Sequence, residues 1–170
     1  DGDSDIITSL AAHDFGLAWF EQVQDGGERK FTRHDIMGSK AKDNPYGLVF
    51  SELHSVNLAD VDGDGLKDII TGKTYYSHHK GSPMWDAGAV VYWFELSRDS
   101  AGKVDFIPHL ADGEAGIGRG LVVDDLNQDG LIDLVCGGMK GANVLIHAAK
   151  KVTEEEFHQA QPQKRKDMAE

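Results

Sequence analysis

Nine residues, Asp60-Val-Asp-Gly-Asp-Gly-Leu-Lys-Asp68, limit what this chain can fold into more than any other stretch. Carboxylates stand at Asp60, Asp62, Asp64 and Asp68, and charges of one sign this close repel unless a cation sits among them. A hard divalent cation takes oxygen ligands, and a loop offering oxygens at alternate positions can wrap calcium. The backbone carbonyl of Leu66 supplies the oxygen at the one alternate position without an acid. Magnesium suits the same oxygen chemistry. Gly65 lets the chain turn without a Cβ clash.

The pattern recurs in Asp125-Leu-Asn-Gln-Asp-Gly-Leu-Ile-Asp133, with Asp125, Asn127, Asp129 and Asp133 on the same spacing and Leu131 in the place of Leu66. A partial copy opens the chain, where Asp1 and Asp5 followed by Ile6-Ile7 align with Asp64 and Asp68 followed by Ile69-Ile70. That copy lacks its first two ligand positions, so the motif is expected to begin upstream of residue 1. An EF-hand loop opens alike but ends in a bidentate acid at its twelfth position. Thr71 and Cys136 stand there, and the β-prone residues after Asp68 and Asp133 predict strands rather than helices.

Asp5, Asp68 and Asp133 recur about every 64 residues. After each comes a strand, over 5–10, 68–73 and 133–138. An apolar, aromatic strand follows over 17–22, 90–96 and 143–147, with Trp19-Phe-Glu21 repeated as Trp93-Phe-Glu95. A fourth strand follows over 30–34 and 104–109, in which Phe31 matches Phe106 and His34 matches His109. Residues 53–59 and 119–124 read as the strands that enter the two full acidic loops, with His54 and Arg119 in equivalent places.

Four short strands joined by tight turns cannot bury both faces alone, whereas sheets stacked around an axis can. The fold class expected is all-β: β-propeller blades, four-stranded and antiparallel, with Asp-rich calcium loops. One partial blade spans 1–36, a full blade 53–110 and a second partial blade 119–149. Closed propellers need about four to eight blades, so a partial propeller is expected, with the remaining blades of the parent chain as its neighbours. Over 150–170 the chain turns polar, and Thr153 with Glu156 forms a capping box for a short helix or linker tail. An alternative reading completes the last blade with residues 151–158.

The formal net charge of −12 is concentrated in acids that bound cations would neutralise. With no basic patch, nucleic acid is not an expected partner. No apolar run approaches the ~18 residues of a membrane span. Calcium is plentiful outside the cytosol, so such loops predict an extracytoplasmic setting: secreted, periplasmic or cell-surface. The lone Cys136 lies in an apolar run and reads as core.

The two acidic loops, the Asp-apolar-apolar strands after them and the Trp-Phe-Glu strands resemble the FG-GAP/VCBS-type calcium-binding propeller repeats over about residues 1–149. The literal FG-GAP tripeptides are absent, so the likeness is to the VCBS branch. This resemblance implies structural calcium in a propeller module of an extracytoplasmic protein, one that binds or processes carbohydrate. The same repeat class builds the propeller of a fungal lyase acting on keto-sugars, aldos-2-ulose dehydratase, which implies a lyase or dehydratase as one alternative. An adhesion or protein-interaction propeller is the other. Fold alone does not choose among them.

Candidate working residues lie in an insertion peculiar to the second blade. Lys73, Tyr75, Tyr76, His78, His79, Trp85 and Asp86 offer acid–base groups and aromatic faces suited to sugar rings. His78 and His79 are also candidate zinc ligands. His54 and Arg119 are expected near the channel mouth, His54 as a base and Arg119 as a partner for a carboxylate or keto oxygen.

Overall fold

The computed structural model describes residues 2–77 and 79–166. Asp1 and His78 lie outside the described residues.

Among the described residues, ten strands form three antiparallel sheets. The first sheet holds β1 (Ile6–Ser9), β2 (Leu17–Asp25) and β3 (Glu28–Met37) in that order. The second holds β4 (Val56–Ala59), β5 (Asp68–Lys73), β6 (Val90–Arg98) and β7 (Val104–Asp112), again in chain order. The third holds β8 (Gly120–Asp124), β9 (Asp133–Gly138) and β10 (Gly141–Leu145), with β9 central. Each sheet is a simple meander, which tight turns such as Gly26-Gly27, both at positive φ, make possible.

The second sheet is covered on both faces, and strand periodicity explains how. On β5, Ile69 belongs to a core with Leu17, Met37, Phe50, Leu53 and Phe94, against the first sheet. Its neighbour Ile70 points the other way, into a core with Val91, Ile117, Leu134 and Cys136, against the third. Every residue of β5 is buried. At one edge the entry strands of the second and third sheets meet: Ser55 Oγ donates to the Arg119 carbonyl (2.9 Å) and Asn57 Nδ2 to the Leu121 carbonyl (3.4 Å), each pair 64 positions apart.

The first two sheets carry the same side-chain arrangement on their last two strands, β2 and β3 in the first and β6 and β7 in the second. Trp19 stacks on its cross-strand partner His34 at 4.4 Å, and Trp93 on His109 at 4.3 Å. Each histidine Nε2 meets a glutamate, Glu21 at 2.9 Å and Glu95 at 2.8 Å.

Two sequence expectations shift. The entry strand of the second sheet begins at Val56, not at residue 53, so His54 sits in the preceding segment; Arg119 likewise lies one residue before β8. Just before His54, Glu52 holds φ 66°, and the His54 N–H turns back to the Glu52 carbonyl (3.0 Å). Residues 151–158 do not form a strand. An α-helix, α1 (Glu154–Ala160), forms under the capping box, with the Thr153 hydroxyl accepting from the Glu156 N–H (3.2 Å) and Glu156 Oε2 from the Thr153 N–H (2.8 Å).

Candidate metal centres and the adjoining cleft

The first acidic loop links β4 to β5. Asp60, Asp62 and Asp68 each turn one carboxylate oxygen into a group whose atoms all lie within 4.8 Å of one another. The loop's own N–H groups hold these acids in place. Gly63 and Gly65 donate to the two oxygens of Asp60 (2.8 and 3.0 Å), and Asp64 donates to Asp62 Oδ1 (3.1 Å). Asp64 is not part of the converging group; its Oδ1 accepts from the Leu66 N–H (2.7 Å). Gly63 and Gly65 both sit at positive φ, 82° and 91°, where an L side chain is strained.

Asp68 is the buried anchor of this loop, 1% exposed. The Val61 N–H donates to its Oδ2 and the Leu96 N–H to its Oδ1, both at 2.9 Å, so one carboxylate ties loop, β5 and β6 together. Burial raises its pKa above the ordinary aspartate value; the two N–H groups oppose this, and the charges of Asp62 and Asp64 add to it. A carboxylate oxygen that accepts one N–H still has a lone pair free. The donor set therefore fits a hard cation, whose charge would relieve the crowding of Asp68 by its neighbours.

The second loop, between β8 and β9, repeats the anchor. Asp133, 1% exposed, accepts from the Leu126 N–H (3.0 Å) and the His147 N–H (2.8 Å). Asp125 again takes two loop N–H groups, from Asp129 (3.1 Å) and Gly130 (2.8 Å), and Asp129 Oδ1 accepts from the Leu131 N–H (2.9 Å). Asn127 differs from Asp62 by donating through Nδ2 to Asp129 Oδ2 (3.0 Å). In the first sheet Asp5 takes the Gln22 N–H (2.8 Å) and the Trp19 indole N–H (2.7 Å), but it is exposed.

The residues of the insertion divide between two places. A cleft of about 580 Å³ is lined by His54, Thr74, Tyr76, Arg119, Met139 and a run of glycines from the third sheet. His54, Arg119 and part of the insertion thus share one cavity. Tyr75 and Tyr76 meet edge-on at 4.6 Å, Tyr76 stacks with Trp85 at 5.9 Å, and the Lys140 ammonium lies over the Tyr75 ring at 4.2 Å. His79 and Asp86 are exposed and do not line the cleft. Lys73 is 1% exposed and donates through Nζ to the Thr74 carbonyl (3.0 Å). Burial lowers its pKa, against the pull of Glu52 and Asp86.

Behind the cleft lies a cluster that sequence reasoning missed. Glu52 is fully buried, and its Oε2 faces His54 Nε2 at 3.2 Å and His13 Nδ1 at 3.5 Å. The two imidazoles meet edge-on at 4.9 Å. Burial pushes the Glu52 carboxyl up, but the hydroxyls of Ser77 and Ser82, then His54 and the charge of His13, outweigh it and hold the pKa below the usual glutamate value. Its left-handed backbone costs about 1–2 kcal/mol for an L residue. His13 belongs to a loop of the first sheet and Glu52 to a loop before the second, so no local spacing reveals the pair. The available signal was Glu52 two residues before His54 in an apolar setting.

Three antiparallel sheets, with acidic loops at the entry hairpins of two of them, define a mostly β protein in which, among the described residues, two groups of side chains could hold metal: Asp60, Asp62 and Asp68, and His13, Glu52 and His54. No protein-family model and no curated protein matches the chain. Among the described residues no helix is long and apolar enough to cross a membrane.

Proposed function

We propose that the three sheets are consecutive blades of a calcium-stabilised β-propeller of the FG-GAP/VCBS type, part of an extracytoplasmic protein that binds or processes carbohydrate. The observation that carries this reading is the convergence of Asp60, Asp62 and Asp68 oxygens within 4.8 Å. The shared anchoring by Asp68 and Asp133, and the matching Trp–His–Glu sets of the first two sheets, support a common blade plan. Val122, Val135 and Val144 lie side by side on the third sheet, with Val122 and Val144 more than half exposed. That apolar row suits the face of a further blade. Calcium is structural in this reading: it fixes the entry hairpin and takes no part in chemistry. The melting temperature should rise on adding calcium and fall back with a chelator; a melt unmoved by either would remove the proposal.

A second reading is favoured by the cleft. His54 and Arg119 share it with Tyr76, a base, an anion partner and an aromatic face of the kind a lyase or dehydratase on keto-sugars would use. Lys73 is buried on the Thr74 carbonyl and serves as a positioning residue in this reading. Loss of sugar binding in Arg119→Ala with the fold intact would support a cleft ligand, and turnover of a keto-sugar by the wild type alone would make it an enzyme.

A further inference from the structure

We propose that His13, Glu52 and His54 form a mononuclear site for a divalent transition metal of the zinc class, joining a loop of the first sheet to the segment that enters the second. The acidic loops are all-oxygen sites suited to hard cations. This cluster offers two imidazole nitrogens and one carboxylate, the donor set that zinc and its neighbours prefer.

The geometry fits. Donor atoms about 2.0–2.1 Å from a tetrahedral zinc lie roughly 3.3 Å from one another. The carboxylate oxygen of Glu52 stands 3.2 Å from His54 Nε2 and 3.5 Å from His13 Nδ1. The second oxygen, Oε1, is buried and makes no hydrogen bond of good geometry. The buried carboxylate also meets the hydroxyls of Ser77 and Ser82 and the charge of the buried Lys73, and a metal ion would add a direct ligand bond to it.

Access and framework also suit an ion. His54 is 13% exposed and Glu52 not at all, whereas the His13 side chain is 46% exposed and leaves one side of the cluster open to solvent. The backbone fixes the approach: the Glu52 N–H donates to the Asp14 carbonyl (3.2 Å) and the His54 N–H to the Glu52 carbonyl (3.0 Å). The site borders the cleft through His54, which lines it. It does not depend on the calcium reading, since none of its donors belongs to an acidic loop.

The test is competition titration of the chain with Zn²⁺ while millimolar Ca²⁺ occupies the oxygen-rich loops, with Co²⁺ absorption as a report of nitrogen ligation. One Zn²⁺ per chain is expected. His13→Ala should weaken it at least tenfold and abolish the Co²⁺ spectrum, while His79→Ala, an exposed histidine outside the cluster, should leave both unchanged. No stoichiometric Zn²⁺ in the wild type, or undiminished affinity in His13→Ala, would overturn the proposal, as would an equal loss in His79→Ala. His13 is half exposed, so its replacement keeps the test valid if Glu52→Gln or His54→Gln fails to fold.

Discussion

Residues 60–68 and residues 125–133 hang from the same anchor. In each, a buried aspartate at the ninth position accepts one N–H from its own loop and a second from farther along the chain, from Leu96 on β6 in the first and from His147, just past β10, in the second. The first position caps the turn in both, through two N–H groups. They part at the third and fourth positions. The first loop has Asp62 and then Gly63 at φ 82°; the second has Asn127 and then Gln128 at φ 62°. Asp62 joins the converging oxygens, whereas Asn127 turns its amide inward and satisfies Asp129 with a hydrogen bond. One loop thus keeps a charge excess that calls for an outside cation, and the other meets part of it internally. The anchor and the ion site are therefore separable properties of one motif.

The largest test of that separation is removal of the anchors. Asp68→Ala and Asp133→Ala each strand two N–H groups and should cost about 2–6 kcal/mol in urea unfolding, at about 1–3 kcal/mol per unpaired group. Similar losses from both would show the anchor to be common; a loss confined to Asp68 would break the comparison. Next in size is the ion itself. Asn127→Asp restores the fourth carboxylate and should raise the calcium affinity of the second loop about 3–10-fold by calorimetry, since charge count tunes such sites. Gln128→Gly should then stabilise the second loop by about 0.5–1 kcal/mol, because glycine accepts the left-handed backbone that glutamine resists.

A further effect, seen only on raising the pH, concerns the strands that follow. At matching places stand Thr71, whose hydroxyl donates to the Ser55 carbonyl (2.7 Å), and Cys136, fully buried. Burial, with help from Asp112, pushes the Cys136 thiol up to about 11. A raised folded-state pKa means the contribution is whole below the unfolded thiol value, about 8.5, and fades as pH climbs from there toward 11. Wild type should lose more unfolding free energy than Cys136→Ala between about pH 8 and pH 10. Equal losses would show that the thiol is not held protonated by the core.

Much of this was legible in the sequence because it rests on local spacing. The alternating acids and the Thr153 capping box act within a few residues of themselves, and the equivalence of Asp5, Asp68 and Asp133 and of the two Trp-Phe-Glu strands shows as a repeat; that Asp68 and Asp133 also tie in Leu96 and His147 does not. Strand ends were less legible. β3 runs from Glu28 to Met37, past residues 30–34 at both ends, because pairing with β2 holds its polar start and Ile36 and Met37 enter the core at its end. His54 lies outside its strand: its N–H bonds back to the Glu52 carbonyl, and pairing with β5 begins at Val56. The His13–Glu52–His54 cluster was hidden for a different reason. Its members are brought together by packing of the first sheet on the second, which no periodicity encodes.

Calorimetric titration with calcium of the wild type and of the Asp60→Asn/Asp62→Asn double variant reads the acidic loops most directly. The wild type should show two binding events, of which the double variant keeps the weaker and loses the tighter. An isotherm without calcium heat in the wild type, or one unchanged by the two substitutions, would contradict the assignment of residues 60–68 as a cation site.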